Sequence, residues 1–271
     1  MERSLGATFF LIASVAFAIA FGSWWLNHSV FSPDRTTDSA VAMLDDPDIR
    51  RELIALIAPL AAPHLDTNSA DLAARLETQV FPLRAGAAEM APILERAHQI
   101  IIGDSDDPLM ITGSQLIPIV RDQRAADVAE FKVPIEEIGT LATFKSASRW
   151  MVPIAAGLGL ILVALGLFTR PERREVINAL GELLVAMAVG VVLFGWAIPV
   201  HLFTAVDNQT WTKAIPNLAM RTLPVTIGTA IVLSIGGALL MLTSRSGGNR
   251  RQWSTPLATA RYRGGDNPGW S

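Results

Sequence analysis

Hydrophobic residues are concentrated in four long runs that alternate with polar segments. The runs cover 5–26, 151–168, 183–206 and 223–243. Each approaches the roughly 20 apolar residues that a helix needs to cross a hydrocarbon core of about 30 Å. The pattern predicts a mainly α membrane protein with four transmembrane helices.

A long polar segment between the first two runs is large enough to fold as a domain. We call residues 28–149 the inserted domain. The predicted organisation is a first transmembrane helix with a short cytoplasmic N-terminus (1–27), an extracytoplasmic, mostly helical inserted domain (28–149), transmembrane helices 2–4 (150–243) and a disordered, Arg-rich cytoplasmic tail (244–271).

The first run has an alternative interpretation as a cleaved signal peptide. Ala18-Ile19-Ala20 has the small residues of a cleavage site. The apolar run, however, continues to Leu26 with no polar break, which favours an uncleaved anchor. Under both interpretations the inserted domain is exported.

The inserted domain carries two kinds of periodicity. Apolar residues recur at helical spacing after Asp46-Pro47-Asp48, after Asn68-Ser69 and over 85–101, which predicts three helices. The later part predicts strands at 109–112 and 131–133, a helix over 115–129 between them, and a helix that starts at Pro134. No breaker separates Pro134 from Trp150, so we expect this last helix to run into the second transmembrane helix as a semi-rigid stalk.

Basic residues predict the orientation in the membrane. The loop before the third run carries Arg170, Arg173 and Arg174, and the tail carries Arg245, Arg250, Arg251, Arg261 and Arg263. Only Lys213 and Arg221 lie between the third and fourth runs. Since cytoplasmic loops are enriched in Lys and Arg, both termini are expected inside the cell.

Charge supports this arrangement and excludes one class of function. The inserted domain has 11 basic and 19 acidic residues, a net charge of −8, while the whole chain carries −3. An acidic chain of this kind is not expected to bind nucleic acid. The hydrophobic content of 51% and the charged content of 17% are typical of a membrane protein.

Two sets of residues are predicted at the membrane interfaces. The outer set is Trp24, Trp25, Trp150 and Trp211, and the cytoplasmic set is Arg170, Arg173, Arg174, Glu182, Arg245, Arg250 and Arg251. Small residues at i, i+4 spacing are expected to pack between helices. These are Ser14, Ala18 and Gly22 on the first span, Ala155 and Gly159 on the second, and Ala230, Ser234 and Ala238 on the fourth.

No pattern predicts a catalytic, cofactor or metal site. The chain has no cysteine, and His28, His64, His98 and His201 lack zinc-ligand spacing. Asp104, Asp106 and Asp107 could begin a calcium loop, but Gln115 stands where a distal bidentate Glu is required. A solvated loop is the preferred interpretation.

The overall arrangement resembles a recurrent group of uncharacterised four-pass actinobacterial envelope membrane proteins of mycobacterial type. The resemblance rests on Asp48-Ile49-Arg50-Arg51, residues 109–120, residues 135–150 and Arg170-Pro171-Glu172-Arg173-Arg174. It is architectural, and it covers most of 5–243. It implies a location in the cell envelope and brings no catalytic residues.

Three functional hypotheses follow. We expect a non-enzymatic plasma-membrane protein, an accessory or scaffold subunit of a larger complex, whose acidic domain contacts an integral-membrane protein partner or envelope lipid. The first alternative is a lipid carrier in which the faces Leu53/Ile57/Leu60 and Ile93/Leu94/Ile101 line a cavity. The second is an integral-membrane enzyme, which would require His64, His98 and Asp104 to converge.

Overall fold

The computed structural model describes residues 2–32, 37–169, 173–206 and 209–252. In chain order the helices are α1 (Glu2–Leu26), α2 (Thr37–Leu44), α3 (Pro47–Ala61), α4 (Ser69–Arg75), α5 (Arg84–Ile101), α6 (Gly113–Val120), α7 (Gly139–Thr169), α8 (Arg173–Val192), α9 (Phe203–Val206) and α10 (Ala214–Gln252). The strands are β1 (Leu109–Ile111) and β2 (Phe131–Val133). Turns of π-helix extend α1 over Asn27–Phe31, α4 over Leu76–Val80 and α8 over Leu193–Leu202. Short 3₁₀ turns occupy Ala62–Leu65, Gln123–Asp127 and Thr210–Lys213.

Four helical segments are long and apolar enough to span a membrane, which confirms the predicted number. They are Leu5–Phe31, Gly139–Thr169, Arg173–Leu202 and Thr210–Ser244. Each extends beyond the predicted apolar run at one end or both, although the third ends at Leu202, before the end of its run at 206. The backbone hydrogen bonds of a helix continue without interruption where the apolar residues stop, so helix ends and hydrophobic boundaries do not coincide.

Local capping explains the helix starts that the sequence predicted correctly. The Asp46 carboxylate accepts hydrogen bonds from the backbone N–H groups of Asp48 and Ile49 at 2.8 and 3.2 Å, with Pro47 in the first turn of α3. The Asn68 side chain accepts from the N–H of Asp71 at 2.7 Å and begins α4. These side chains satisfy donors that a helix N-terminus leaves free.

The two predicted strands form an antiparallel pair. Their register places Leu109 opposite Val133, Met110 opposite Lys132 and Ile111 opposite Phe131. Leu109, Ile111 and Val133 are buried, so one face of this small sheet closes the core of the inserted domain.

The predicted helix over 115–129 is wrong. A capping box of Thr112 and Gln115 begins α6 earlier, and Arg121 ends it in the left-handed region at φ 57°. A 3₁₀ turn replaces the second half, because the Asp122 carboxylate accepts from the N–H of Arg124 at 3.0 Å and starts a new turn.

The helix predicted to start at Pro134 begins five residues later, at Gly139. The N–H of Ile138 donates to the carbonyl of Ile101 at 3.0 Å, and residues 134–138 form neither helix nor strand. From Gly139, α7 runs without a break to Thr169, as expected. Its first turns are packed, with Leu141 buried in the core, so the connection to the membrane is not an exposed stalk.

The spanning helices lie side by side. Along the described chain, α1 packs on α7 and on α8, α8 packs also on α10, and α7 and α10 have no extensive contact. The extensive contacts therefore follow the order α7–α1–α8–α10, and we call α7 and α10 the outer helices. Among the described residues, α10 also reaches the end of α1 through Thr226 and Trp25, whereas α7 has no extensive contact with α8 or α10.

Small residues make the close approaches between these helices, as membrane packing requires. A Cβ added at Gly190 of α8 would overlap the carbonyl oxygen of Ala18 on α1, and one at Gly22 would lie 2.5 Å from the Phe194 ring. Between α8 and α10, Gly181 and Gly237 face each other. The prediction named Ala18 and Gly22 correctly. On the fourth span, the contact falls at Gly237, while the predicted neighbour Ala238 is exposed.

One hydrophobic core joins the inserted domain to the membrane helices. Buried residues of α3 and α5 cluster with Leu26 and Phe31 from the end of α1, and with Trp211 and Ile215 from the start of the last span. Polar contacts reinforce this junction: Lys213 pairs with Asp48. The inserted domain is thus built directly on the helix ends.

Candidate ligand-binding cavity

A cavity of about 530 Å³ lies between α2 and α5, beside the π-helical end of α1. Met43 of α2, Leu94 of α5 and Phe31 form apolar parts of its wall. Polar side chains also reach it, among them His98 and Asp104. Its volume falls in the range of roughly 300–1,000 Å³ that is typical of small-molecule sites, and its mixed lining suits an amphiphilic ligand.

His98 is the most unusual residue of this wall. Its helical position, four residues after Leu94 and one after Ala97, places it on the buried face of α5, and its exposed fraction is only 3%. Neither ring nitrogen has a hydrogen bond of regular geometry to a described residue, although the backbone of Val30 lies close enough to favour the charged ring. A buried polar atom without a partner costs about 1–3 kcal/mol, so a ligand group that paired with the ring would gain affinity.

The protonation state of His98 follows from its burial. The pKa of His98 is lowered from 6.5 to about 4, mainly by desolvation and to a lesser extent by the Lys145 ammonium. The carbonyl of Val30 and the carboxylate of Asp104 act in the opposite direction without reversing the shift. The imidazole is therefore neutral at pH 7 and offers one N–H donor and one nitrogen acceptor.

A second cavity, of about 550 Å³, adjoins the first and shares the wall residues Ile102 and Asp104 with it. Asp104 forms an ion pair with Lys145, whose side chain is 13% exposed. The floor of this second cavity is a face of α7 that includes Arg149 and Trp150. We call it the α7 groove.

The structure brings together part of the histidine set that an enzyme would need. His98 and Asp104 line the same cavity, whereas His64 is exposed in the turn after α3 and does not line it. Among the described residues, no three His, Asp or Glu side chains are grouped so that they could hold a metal ion. One sequence signal could have indicated this cavity: His98 is a histidine on the otherwise apolar face of α5.

The two faces proposed to line a lipid cavity lie mostly in the core. Leu53, Ile57, Ile93 and Ile101 are buried in the central cluster, and Leu60 is 41% exposed. Of the six residues named for this role, Leu94 lines the cavity. The cavity therefore lies beside the predicted faces, on the α2 side of α5.

The predicted outer tryptophans differ in their surroundings. Trp24 is exposed and stacks on His28, and Trp150 is 67% exposed. Trp25 is half-buried instead, and its Nε1 donates to the hydroxyl of Thr226 on α10 at 3.1 Å. Trp25 thus packs between helices, where its amphipathic ring has a polar partner.

The predicted cytoplasmic residues that the structure describes lie on α8 and α10. Arg173 and Arg174 are exposed at the start of α8, and Glu182 is exposed and accepts a hydrogen bond from the Asn178 amide at 2.6 Å. Arg170 lies outside the described residues. Arg245, Arg250 and Arg251 belong to the last turns of α10. The helix extends to Gln252, so the predicted disorder does not begin at Ser244; residues 253–271 lie outside the described part.

The chain matches no protein-family model, and no curated protein or solved structure is significantly similar to it. The resemblance to four-pass actinobacterial envelope proteins therefore stays a prediction. Any functional conclusion rests on the geometry of this chain.

Proposed function

We propose that this protein is a non-enzymatic subunit of a larger complex in the bacterial plasma membrane, with an accessory or scaffold role. The low burial of α7 and α10, the two ends of the contact order α7–α1–α8–α10, carries the proposal. In the most apolar 18-residue stretch of each span, the buried share is 39% in the first span but only 11% in the second and in the fourth. The outer helices are the elements that a further membrane helix would cover.

Open glycines on these outer helices support the same proposal. Cβ atoms added at Gly157 of α7 and at Gly228 of α10 would meet no atom within 4 Å. Small residues on a lipid-facing flank allow another helix to approach closely. We propose these two flanks as the sites where an integral-membrane partner packs.

The orientation belongs to the same proposal. The exposed Arg173 and Arg174 would face the cytoplasm, and the acidic inserted domain would face the extracytoplasmic side. On that side the domain would contact a protein partner or envelope lipid.

In-cell photo-crosslinking of the full chain tests the partner proposal. A photoreactive residue at position 157 or 228 is expected to yield a protein adduct of discrete mass, and Gly157→Leu or Gly228→Leu should abolish the assembly on its own flank. Leu11, which is 62% exposed on the central helix α1, provides the matched lipid-facing control position. Lipid adducts alone at both 157 and 228 would refute the proposal.

A second candidate function is the binding of an amphiphile in the cavity of His98, as a lipid carrier or transport component would require. The buried imidazole in its wall, whose nitrogens form no regular hydrogen bond with a described residue, favours it. An apolar ligand body would contact Met43 and Leu94, and a polar headgroup would pair with the ring.

Native mass spectrometry of the protein in mild detergent tests this candidate. The wild-type chain should retain one amphiphile, and Ala91→Trp, which places an indole in the cavity, should release it. Ala126→Trp adds the same side chain at an exposed position outside the cavity and should leave binding unchanged. A wild-type protein that retains no amphiphile would contradict the candidate function.

A further inference from the structure

We propose that the α7 groove binds the phosphodiester headgroup of an anionic phospholipid. The proposal requires only that α7 spans the membrane. It depends neither on a protein partner nor on occupation of the cavity of His98, nor on the side of the membrane that the inserted domain faces.

The position of the groove along α7 matches the depth of lipid headgroups. Ala142, Ser146, Arg149 and Pro153 recur at helical spacing and line the groove along one face of the helix. With a rise of 1.5 Å per residue, Arg149 lies about 3 Å and Ser146 about 8 Å before Met151, where the apolar run begins. The headgroup layer occupies roughly 5–8 Å on each side of the hydrocarbon core, so both polar side chains start at headgroup depth.

The opposite wall is the loop that follows α5. Gly103 in this loop has φ 72°, and a Cβ there would lie 2.9 Å from the Cβ of Ala142. A glycine at this position therefore lets the loop approach α7 closely while adopting the left-handed conformation. The result is a concave site of about 550 Å³ between a helix and a loop, rather than a flat helix surface.

Among the described residues that line the groove, Arg149 is the cation that stays available to a ligand. Asp104 neutralises Lys145 through their ion pair. Arg149 is exposed and forms no ion pair with any described residue, and the Ser146 side chain beside it is exposed. The planar guanidinium presents paired N–H donors that match two phosphate oxygens, and the serine hydroxyl can donate a further hydrogen bond.

The surroundings make this cation selective for a membrane ligand. The inserted domain carries a net charge of −8, which opposes the approach of anions elsewhere on its surface. Another nearby carboxylate, that of Glu137, lies beside Gly103 and is not among the residues that line the groove. Trp150, 67% exposed and adjacent to Arg149, provides an amphipathic ring of the kind found at lipid headgroups. A phosphate bound at Arg149 would therefore have its acyl chains along α7 below Trp150.

Lipid titrations of the full chain, followed by native mass spectrometry, test the proposal. The probes are phosphatidylglycerol and phosphatidylcholine with identical acyl chains. The wild-type protein should retain phosphatidylglycerol preferentially, and Arg149→Gln should weaken this binding about tenfold. Arg149→Lys keeps the charge but loses the paired donors, so an intermediate affinity is expected. Lys132→Gln removes the same charge from an exposed strand position outside the groove and should bind as the wild type does.

Three results would overturn the assignment. One is unchanged retention of phosphatidylglycerol by Arg149→Gln with an unaltered melting temperature, and another is an equal loss in Lys132→Gln. The third is displacement of the lipid by inorganic phosphate alone, which would assign the groove to a free anion. Because Arg149 forms no ion pair with a described residue, Arg149→Gln should fold normally, and its melting temperature verifies this. Ala91→Trp alters the other cavity and should leave this lipid binding intact.

Discussion

The indole Nε1 of Trp211 donates a hydrogen bond to Oε1 of Glu52 at 2.9 Å, across 159 positions of the chain. Glu52 lies one helical turn after Asp48 on α3, and Asp48 pairs with Lys213. Two residues at the start of the last span thus hold two acidic residues on one face of α3. This pair of contacts joins the inserted domain to the fourth membrane helix.

Trp211→Phe is expected to destabilise the protein by about 1–2 kcal/mol. The substitution keeps an aromatic ring in the core but removes the donor to a carboxylate, and a hydrogen bond to a charged group contributes roughly that amount. Thermal unfolding in detergent measures the effect, and a double-mutant cycle with Glu52→Gln isolates the pair. Trp24→Phe, at an exposed tryptophan, is the control. Equal losses for both tryptophans would contradict the assigned role of Trp211.

The contribution of Asp48 should depend on pH in a defined direction. The hydrogen bond from Lys213 is the main cause that holds the pKa of Asp48 below its ordinary value of 3.8. A carboxylate with a depressed pKa stabilises the fold at pH values above 3.8 and loses this contribution as the pH falls through its folded pKa. Asp48→Asn should therefore unfold at a lower temperature than the wild type at pH 7, and the two should converge in strong acid.

The control for this pH dependence is Asp106→Asn, at an exposed loop carboxylate. Its melting temperature should follow that of the wild type at every pH. A difference between Asp48→Asn and the wild type that persisted below the folded pKa of Asp48 would contradict the ion-pair explanation.

His98 should make the protein sensitive to mild acid. The unfolded imidazole titrates near 6.5 and the folded one near 4, so the unfolded chain binds more protons between these values. Titration of His98 therefore leaves the free energy of unfolding unchanged above pH 6.5. It lowers this free energy as the pH falls toward 4, by at most about 3 kcal/mol. His98→Leu removes the titrating group, and its stability should therefore change less over this range.

At pH 7, His98→Leu should be close to the wild type in stability. Replacing a buried group whose nitrogens lack partners by an apolar one removes no hydrogen bond. Melting temperatures measured from pH 7 to pH 4 test both statements. An identical acid response of the two proteins would show that His98 does not titrate in a buried site.

Close packing at Gly190 predicts a position-specific effect of a single methyl group. Gly190→Ala forces α8 away from the Ala18 backbone, and overpacking of this kind typically destabilises by about 1–3 kcal/mol. Gly157→Ala adds the same methyl group on α7, where no atom lies within 4 Å. Comparison of the two melting temperatures tests the helix order directly. A lower value for Gly157→Ala would indicate a different packing.

The absence of cysteine from the sequence allows the proposed orientation to be tested by single introduced cysteines. Lys132→Cys lies on β2 of the inserted domain, and Arg173→Cys lies at the start of α8; both positions are exposed. A membrane-impermeant maleimide should label position 132 in intact cells and position 173 only after permeabilisation. The reverse pattern would invert the proposed topology.

Sequence patterns predicted the elements whose signals are local. The four spans follow from the length of apolar runs, and the starts of α3 and α4 follow from Asp46 and Asn68, whose side chains bond to nearby N–H groups. The start of α7 was mispredicted because Ile138 donates its N–H to Ile101, a partner 37 positions away. No sequence pattern near Pro134 indicates such a long-range hydrogen bond.

The candidate site was predicted only in part. His98 and Asp104 are two of the three residues that the enzyme alternative requires to converge, and they line one cavity. A cavity is predicted by the lipid-carrier alternative, but on other faces of the helices, because apolar spacing on α5 marks a buried face without indicating whether α2 fills the space in front of it. The α7 groove was likewise missed, since its shape depends on the approach of Gly103 to Ala142.

The amino-acid sequence by itself determined that four helices enter the membrane and that a mostly helical domain follows the first. Hydropathy and capping act over a few residues, so they can be read along the chain. Only the tertiary structure decided the order α7–α1–α8–α10, the junction of Trp211 with Glu52 and the unpartnered burial of His98. Lipid solvates every apolar helix face equally well, so close packing between residues distant in the chain decides which helices become neighbours. Hydropathy does not indicate which residues pack in this way.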